Sequence, residues 1–219
     1  MPIAAAARKI RFAETMGFYQ RFVVPPMIAL TMKTGEATRY RKKVVPEVEG
    51  RVLEIGIGSG LNLPFYSDTV KSVVGIDPSP ELLAMARKRA DKAPFATELV
   101  NSPAEDMPFE SASFDTVLTT WTLCSIGEPL VALGEMRRVL KPAGRLIFVE
   151  HGLARSRRVI AWQNRLNPLW RCFSGGCNLN REIDVLIENA GFAIGDLTTE
   201  YLKGPKPLSF TYAGHARPR

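Results

Sequence analysis

The chain has 219 residues, 46% of them hydrophobic and 23% charged, with a formal net charge of +7. That length suits a single domain with one sizeable core, and the composition excludes a disordered, collagenous or disulfide-built chain. Met1 to Arg11 lacks the apolar run of a secretory signal, and Phe22 to Met32 is too short, and too broken by Pro25-Pro26, to span a bilayer. The cysteines Cys124, Cys172 and Cys177 are too few for a disulfide scaffold and fit a reducing cytoplasm. Charge is concentrated in two blocks: residues 1–50 hold nine Lys/Arg against four Asp/Glu, and residues 151–181 hold six arginines and no acid. Such blocks suit solvated faces, acidic substrates, nucleic acid or a peripheral contact with an anionic membrane.

Residues 1–45 predict an N-terminal helical cap, two short helices interrupted at Pro25-Pro26, because proline cannot continue a helix interior. Its apolar residues, among them Phe12, Phe18, Tyr19, Phe22 and Leu30, suit a lid over a pocket, plain core or a membrane surface. Val52-Leu53-Glu54-Ile55 predicts a strand buried on both faces. Gly56, Gly58 and Gly60 predict a tight turn where backbone closely approaches something else. Leu61 to Tyr66 then predicts a helix start whose free N–H groups face the same spot. Residues 72–77 read as a second strand ending in Asp77, placed to accept hydrogen bonds from ribose hydroxyls. Ser79-Pro80-Glu81 opens a helix over 79–90.

Strands are expected at 95–101 and 113–120, and a helix at 128–140 with Arg137, Arg138 and Lys141 at its negative end. Lys141-Pro142-Ala143-Gly144 reads as a turn into a fifth strand, 145–150. Residues 151–177, basic and rich in tryptophan, break the rhythm at the sheet edge where ligands bind in such folds, and read as a substrate lid. Asn178 or Asn180 is expected to cap the next helix, with Gly191 just past its end. Two last strands, 192–202 and 208–216, flank a turn at 203–207. The alternation predicts an α/β fold, a doubly wound, Rossmann-like sheet of seven strands, mostly parallel with the last antiparallel.

Spacing then separates two ligand classes. A dinucleotide turn reads G-x-G-x-x-G. Here the third glycine comes one residue early and Glu54 stands before the first, an anion that repels a pyrophosphate and suits an ammonium group. Acidic-x-Gly-x-Gly-x-Gly resembles the first motif of the class I S-adenosyl-L-methionine (SAM)-dependent methyltransferases. The pairing of SFDTVLTT with EMRRVLKPAGRLIFVEH, together with TLCSI, a Trp-Gln pair, Pro-x-Trp, Gly-Cys and Asn-Arg, is similar to the methyltransferase-like protein 7 group and its UbiE-like relatives. That resemblance implies SAM as cofactor and S-adenosyl-L-homocysteine as product, with 46–219 as the methyltransferase domain and 151–177 as its lid. It implies a cofactor site gathered from Glu54, Gly56, Ile57, Gly58, Gly60 and Asn62, from Asp77 and Pro78, from Ala104, Glu105 and Asp106 around the adenine, and from Thr120 and Trp121 at the methionine end. Many relatives carry an aspartate where Pro103 stands. Mammalian members of the group are membrane-associated thiol methyltransferases with a long apolar N-terminal anchor, which this sequence lacks.

The acceptor is expected to be a small molecule with a thiol, hydroxyl or amine, lipophilic in character. His151, at the mouth after strand five, is the general-base candidate, imidazole being the side chain that exchanges protons near neutrality. No metal is expected, because Cys172 and Cys177 with His151 lack a zinc spacing. Nucleic acid is not expected either: Thr119-Thr120-Trp121-Thr122 lacks the Asn/Asp-Pro-Pro-aromatic motif for exocyclic amines. Two other classes stay open on sequence, a catalytically silent SAM-binding module and an NAD-dependent oxidoreductase. Glu54 and the early glycine disfavour the oxidoreductase. Oligomeric state is not legible.

Overall fold

The computed structural model describes residues 22–219, so the expectations for Met1 to Arg11 and for Phe12, Phe18 and Tyr19 lie outside the described residues. Strand β1 (Gly50–Ile55) sends Leu53 and Ile55 into one buried cluster and Val52 into another on the opposite face. Its apolar run is therefore the signature of a strand covered on both sides. Strands β2 (Val70–Ile76) and β4 (Phe114–Thr120) flank it in parallel, with Leu53 opposite Val74 and Val117. Strand β3 (Ala96–Val100) pairs with β2, and β5 (Leu140–His151) with β4, also in parallel. Strand β7 (Phe210–Pro218) inserts antiparallel between β5 and β6 (Phe192–Tyr201), giving the order β3-β2-β1-β4-β5-β7-β6. The doubly wound seven-stranded sheet is thus present. Strand order reverses between β1 and β4, so the turns leaving their carboxyl ends part and open a crevice.

Helices cover both faces. On the side of Val52 lie Tyr40 and Val44 of α2 (Gly35–Val44) and Leu83 of α3 (Pro80–Ala90). On the other side α4 (Pro129–Val139) buries Ala132, Leu133, Met136 and Val139, and α6 (Ile183–Asn189) buries Ile183 and Ile187. Ser79 caps α3 as expected, its Oγ accepting the Leu82 N–H at 3.2 Å. Gly191, at φ +84°, follows α6.

Four local expectations change. Pro25-Pro26 does not interrupt a helix. It opens α1 (Val24–Thr31), sitting in the first turn where no N–H is needed, and the break falls before Thr34, which caps α2. Leu61 to Tyr66 does not start an α-helix. It makes one 3₁₀ turn, Leu63–Phe65, with Pro64 inside it and Tyr66 already extended, so no helix N-terminus faces the glycine turn. Lys141-Pro142-Ala143-Gly144 is looped out within β5: Phe114 pairs with Leu140 and Thr116 with Arg145. Neither Asn178 nor Asn180 caps α6, which follows Glu182 without a side-chain cap.

The segment after β5 forms α5 (Arg157–Phe173), which buries Val159, Gln163 and Asn167 and leaves Trp162, Leu169 and Phe173 exposed. Its buried stripe includes two amides because they serve the backbone. Gln163 Oε1 accepts the Ala154 N–H at 2.9 Å, and Gln163 Nε2 donates to the carbonyls of Gly152 (3.0 Å) and Pro207 (3.2 Å). Asn167 Oδ1 accepts the Leu179 N–H at 2.7 Å. Replacing Gln163 by leucine strands buried partners at about 1–3 kcal/mol each. Gln163→Leu is accordingly expected to lower unfolding stability by about 2–5 kcal/mol, read from the midpoint of a urea titration.

Candidate active site

The turn after β1 shows what its three glycines do. All have positive φ, 63° at Gly56, 55° at Gly58 and 76° at Gly60. A Cβ on Gly56 would collide with the Thr122 side chain, and one on Gly60 would lie 2.9 Å from Leu63 Cδ1 and 3.2 Å from Ala86 Cα. A Cβ on Gly58 would meet nothing nearer than the Gly56 carbonyl at 3.8 Å. Gly56 and Gly60 therefore let the turn press on protein, whereas Gly58 bares backbone to open space. Ile57 is buried and packs over Gly75 of β2, with its side chain turned away from that open face.

Two carboxylates anchor the turn. Asp77, just past β2, accepts the Gly58 N–H at Oδ2 (3.0 Å) and the Ser79 N–H at Oδ1 (2.8 Å), and Asn101 Nδ2 donates to its carbonyl at 2.9 Å. Burial raises its pKa to about 6 despite those two N–H groups. Glu54 is more deeply buried. Asn62 Nδ2 donates to its Oε1 at 2.8 Å and Tyr66 Oη to its Oε2 at 2.7 Å. Asn62 also donates to Thr120 Oγ1 (3.0 Å) and accepts from Arg41 Nε (2.9 Å). Burial pushes Glu54 up to about 7, against the hydrogen bonds from Tyr66 and Asn62 and the Arg41 charge. The buried Arg41 guanidinium is lowered to about 10 by burial.

The segment expected around an adenine is held from behind. Arg138 donates to the carbonyls of Phe109 (2.6 Å) and Met107 (3.1 Å) and to both oxygens of Glu135, which in turn accepts the Met107 N–H at 3.1 Å. Ala104 is buried, while Asp106 and Pro78 are exposed. Glu105 Oε1 accepts the Glu128 N–H at 3.2 Å, next to the start of α4.

Across the crevice, Trp121, the residue just past β4, has φ 52°, a strained value for a large side chain and one that clusters at functional sites. Its N–H donates to the Val149 carbonyl at 2.7 Å, and the Arg41 guanidinium lies over its ring at 5.1 Å. Behind it Glu150 is buried, accepting from Thr119 Oγ1 at 2.7 Å and the Thr122 N–H at 3.1 Å, and burial pushes it up to about 7. His151 is buried beside it, its Nδ1 3.7 Å from Cys177 Sγ. Glu150 Oε2, His151 Nε2 and Trp170 Nε1 have no hydrogen-bond partner among the described residues. No group of three or more His, Cys, Asp or Glu is placed to hold a metal ion among the described residues.

The structure thus gathers Glu54, Gly58, Asn62, Asp77, Thr120 and Trp121 at one edge. Sequence reasoning missed Arg41, Tyr66 and Glu150. Tyr66 carried no signal, because its role depends on a turn read as helix. Glu150, an acid inside the apolar run LIFVE, was a readable clue.

Residues 53–148 match the family described as methyltransferase domain. The human thiol S-methyltransferase TMT1B is 31% identical over 201 residues, covering 86% of this chain and 80% of that protein. The chain belongs to the class I SAM-dependent methyltransferases. A phosphatidylethanolamine N-methyltransferase of Cereibacter sphaeroides is 39% identical over 122 residues, 54% of this chain and 60% of that protein. The solved SAM-dependent methyltransferase of Thermotoga maritima superposes with a TM-score of 0.66 over 93% of this chain and 99% of its own, at 23% identity, a likeness of fold. As a methyltransferase the protein is an enzyme of SAM chemistry.

The methyltransferase's three raised carboxyls set a pH dependence. Glu54, Asp77 and Glu150 keep protons in the folded state that the unfolded chain releases at about pH 4. The stability they contribute is fully present below that pH and is lost as pH rises through about 6 to 7. The ligand-free enzyme is expected to melt at a lower temperature at about pH 8 than at about pH 5.5, a comparison made by scanning calorimetry.

Proposed function

We propose that this methyltransferase moves a methyl group from SAM to a small, apolar acceptor carrying a thiol, hydroxyl or amine, at the mouth between β4, β5 and α5. The observation that carries the reading is the unpartnered Nε2 of buried His151; Glu150 Oε2 and Trp170 Nε1 are likewise without a partner among the described residues. Leaving such an atom unsatisfied costs about 1–3 kcal/mol, a cost suited to a nitrogen reserved for an acceptor. The names of two relatives, a thiol and a phosphatidylethanolamine methyltransferase, support an acceptor of thiol or lipid-amine type.

The residues fit the cofactor. The bare Gly58 backbone leaves room for a ligand, and buried Asp77 keeps free lone pairs for ribose hydroxyls. Glu54 supplies negative charge for the methionine ammonium with Gly56, Gly60 and Asn62 shaping the turn, and Thr120 and Trp121 border that end. Ile57 contributes backbone, Pro78 flanks the ribose, and Ala104 backbone with Glu105 or Asp106 takes the adenine. SAM, when bound, supplies an electrophilic methyl carbon on its sulfonium. The chain's part is to desolvate the acceptor, align it and take its proton at His151 Nε2. A thiol, ionising at about 8.5, needs that base less than a hydroxyl does.

Residues 151–177 serve as the lid and 22–45 as the described part of the cap. Exposed Trp162, Leu169 and Phe173 beside Arg158 and Arg165 support a peripheral contact with an anionic membrane surface on the cytoplasmic side, where a lipophilic acceptor would be met. No helix among the described residues is long and apolar enough to cross a membrane.

Calorimetry with SAM and its demethylated product, followed by turnover on thiols, phenols and amines, tests the reading. Tight SAM binding with no turnover on the whole panel would sink the acceptor assignment. Asp77→Ala is expected to weaken SAM binding about tenfold or more, and also to loosen the turn by freeing two N–H groups. His151→Gln is expected to lower kcat on a phenol by about 100-fold while leaving SAM affinity unchanged, with a smaller loss on a thiol at alkaline pH.

A further inference from the structure

Cys124, in the loop after β4, and Cys177, in the loop after α5, are far apart in sequence and meet in the fold. The backbone N–H of Asn178 and its Nδ2 both donate to the Cys124 carbonyl, each at 2.8 Å, clamping the two loops together. At that clamp Cys177, whose peptide bond supplies the donating Asn178 N–H, lies next to Cys124, whose carbonyl accepts it. His151 Nδ1 lies 3.7 Å from Cys177 Sγ, and Arg181 donates to the carbonyl of Leu123, the residue before Cys124. Cys124 is buried, Cys177 partly so, and Cys172 is exposed on α5.

We propose that Cys124 and Cys177 form a reversible thiol–disulfide pair that, when oxidised, locks the lid loop onto the loop after β4. A backbone hydrogen bond that sets two cysteines side by side brings their Cα atoms toward the separation of about 4.4–6.8 Å that a disulfide spans. The pair is also asymmetric. The neighbouring Cys124 holds the Cys177 thiol below its ordinary range against its burial, whereas the neighbouring Cys177 and burial push Cys124 well above it. The thiolate is the nucleophile, so Cys177 attacks first.

With a hydroperoxide as oxidant, Cys177 sulfur bonds to the terminal peroxide oxygen, the O–O bond breaks, and the other oxygen leaves with a proton as alcohol or water. Cys177 is then a sulfenic acid. The Cys124 sulfur attacks the Cys177 sulfur, the S–O bond breaks, and the departing hydroxide takes the Cys124 proton to form water. Two electrons have passed from the two thiols to the peroxide, and a dithiol reductant returns them by exchange. Only the consequence for turnover rests on the acceptor reading above; the thiol chemistry does not.

The test uses the full chain with Cys172→Ser, so that the pair holds the remaining thiols. One equivalent of hydrogen peroxide is expected to abolish both free thiols and yield a Cys124–Cys177 linked peptide by mass spectrometry, reversed by dithiothreitol. Amide exchange across 174–178 slows, turnover falls about tenfold or more, and SAM affinity by calorimetry stays the same. In Cys124→Ser with Cys172→Ser, the same treatment leaves a dimedone-reactive sulfenic acid at Cys177 and no link. Peroxide that leaves both thiols free, or oxidises Cys177 without linking it, overturns the proposal. So does a link that lowers SAM affinity, or one that leaves exchange at 174–178 unchanged. A linked, exchange-protected loop in a protein that turns over no acceptor supports the pair while sinking the acceptor reading, which separates the two failures.

Discussion

Glu54 ends the central strand with a carboxylate almost wholly withdrawn from water, and a buried acid needs partners for its lone pairs and its charge. Asn62 and Tyr66 reach back from the turn to supply the hydrogen bonds. Asn62 then passes the constraint on, donating to Thr120 at the end of β4 and accepting from Arg41 of α2. Arg41 reaches further, to the Met32 carbonyl at 2.7 Å and over the Trp121 ring. One buried network therefore fastens the glycine turn, helix α2 and the mouth of the crevice to a single point.

Strand alternation places a second acid on the other face. Glu54 shares the side of Val52, and Glu150 shares the side of Leu146 and Phe148. Glu150 has only its Oε1 satisfied, by Thr119 at the end of β4 and the loop that follows, whereas both oxygens of Glu54 are answered by the turn after β1. The two differ in what surrounds them. The network around Glu54 and Asp77 is closed, each carboxylate oxygen having a donor. Around Glu150 and His151 polar atoms are left over. A rigid, satisfied side suits an invariant cofactor, and a side with spare hydrogen-bonding capacity suits an acceptor that brings its own groups.

Much of this was readable. The apolar runs and glycine spacing of 52–60, the acid at Asp77 and the proline-opened α3 all state local preferences that packing did not override. The readings that changed share a cause. Pro25-Pro26 was read as an interruption although proline is equally at home in a first turn. Asn178 was read as a cap although its amide answers the Cys124 carbonyl. Gln163 and Asn167 are amides on the buried face of α5, because the neighbouring loops carry backbone groups that need them. Arg41 could not have been found from its basic surroundings, since only the fold distinguishes it from Lys42 and Lys43.

The amino-acid sequence by itself determined the seven-stranded α/β architecture and the place of the glycine turn, because strand runs, glycines and a strand-end acid are short-range properties of the chain. Tertiary structure alone decided which glycine faces open space, which charges are buried together and which thiols meet. Gly56, Gly58 and Gly60 are equivalent until Thr122 and Ala86 arrive against two of them. Cys124 and Cys177 are unrelated until Asn178 clamps their loops. Such contacts join residues from distant parts of the chain, and local sequence holds no term for the partner that completes them.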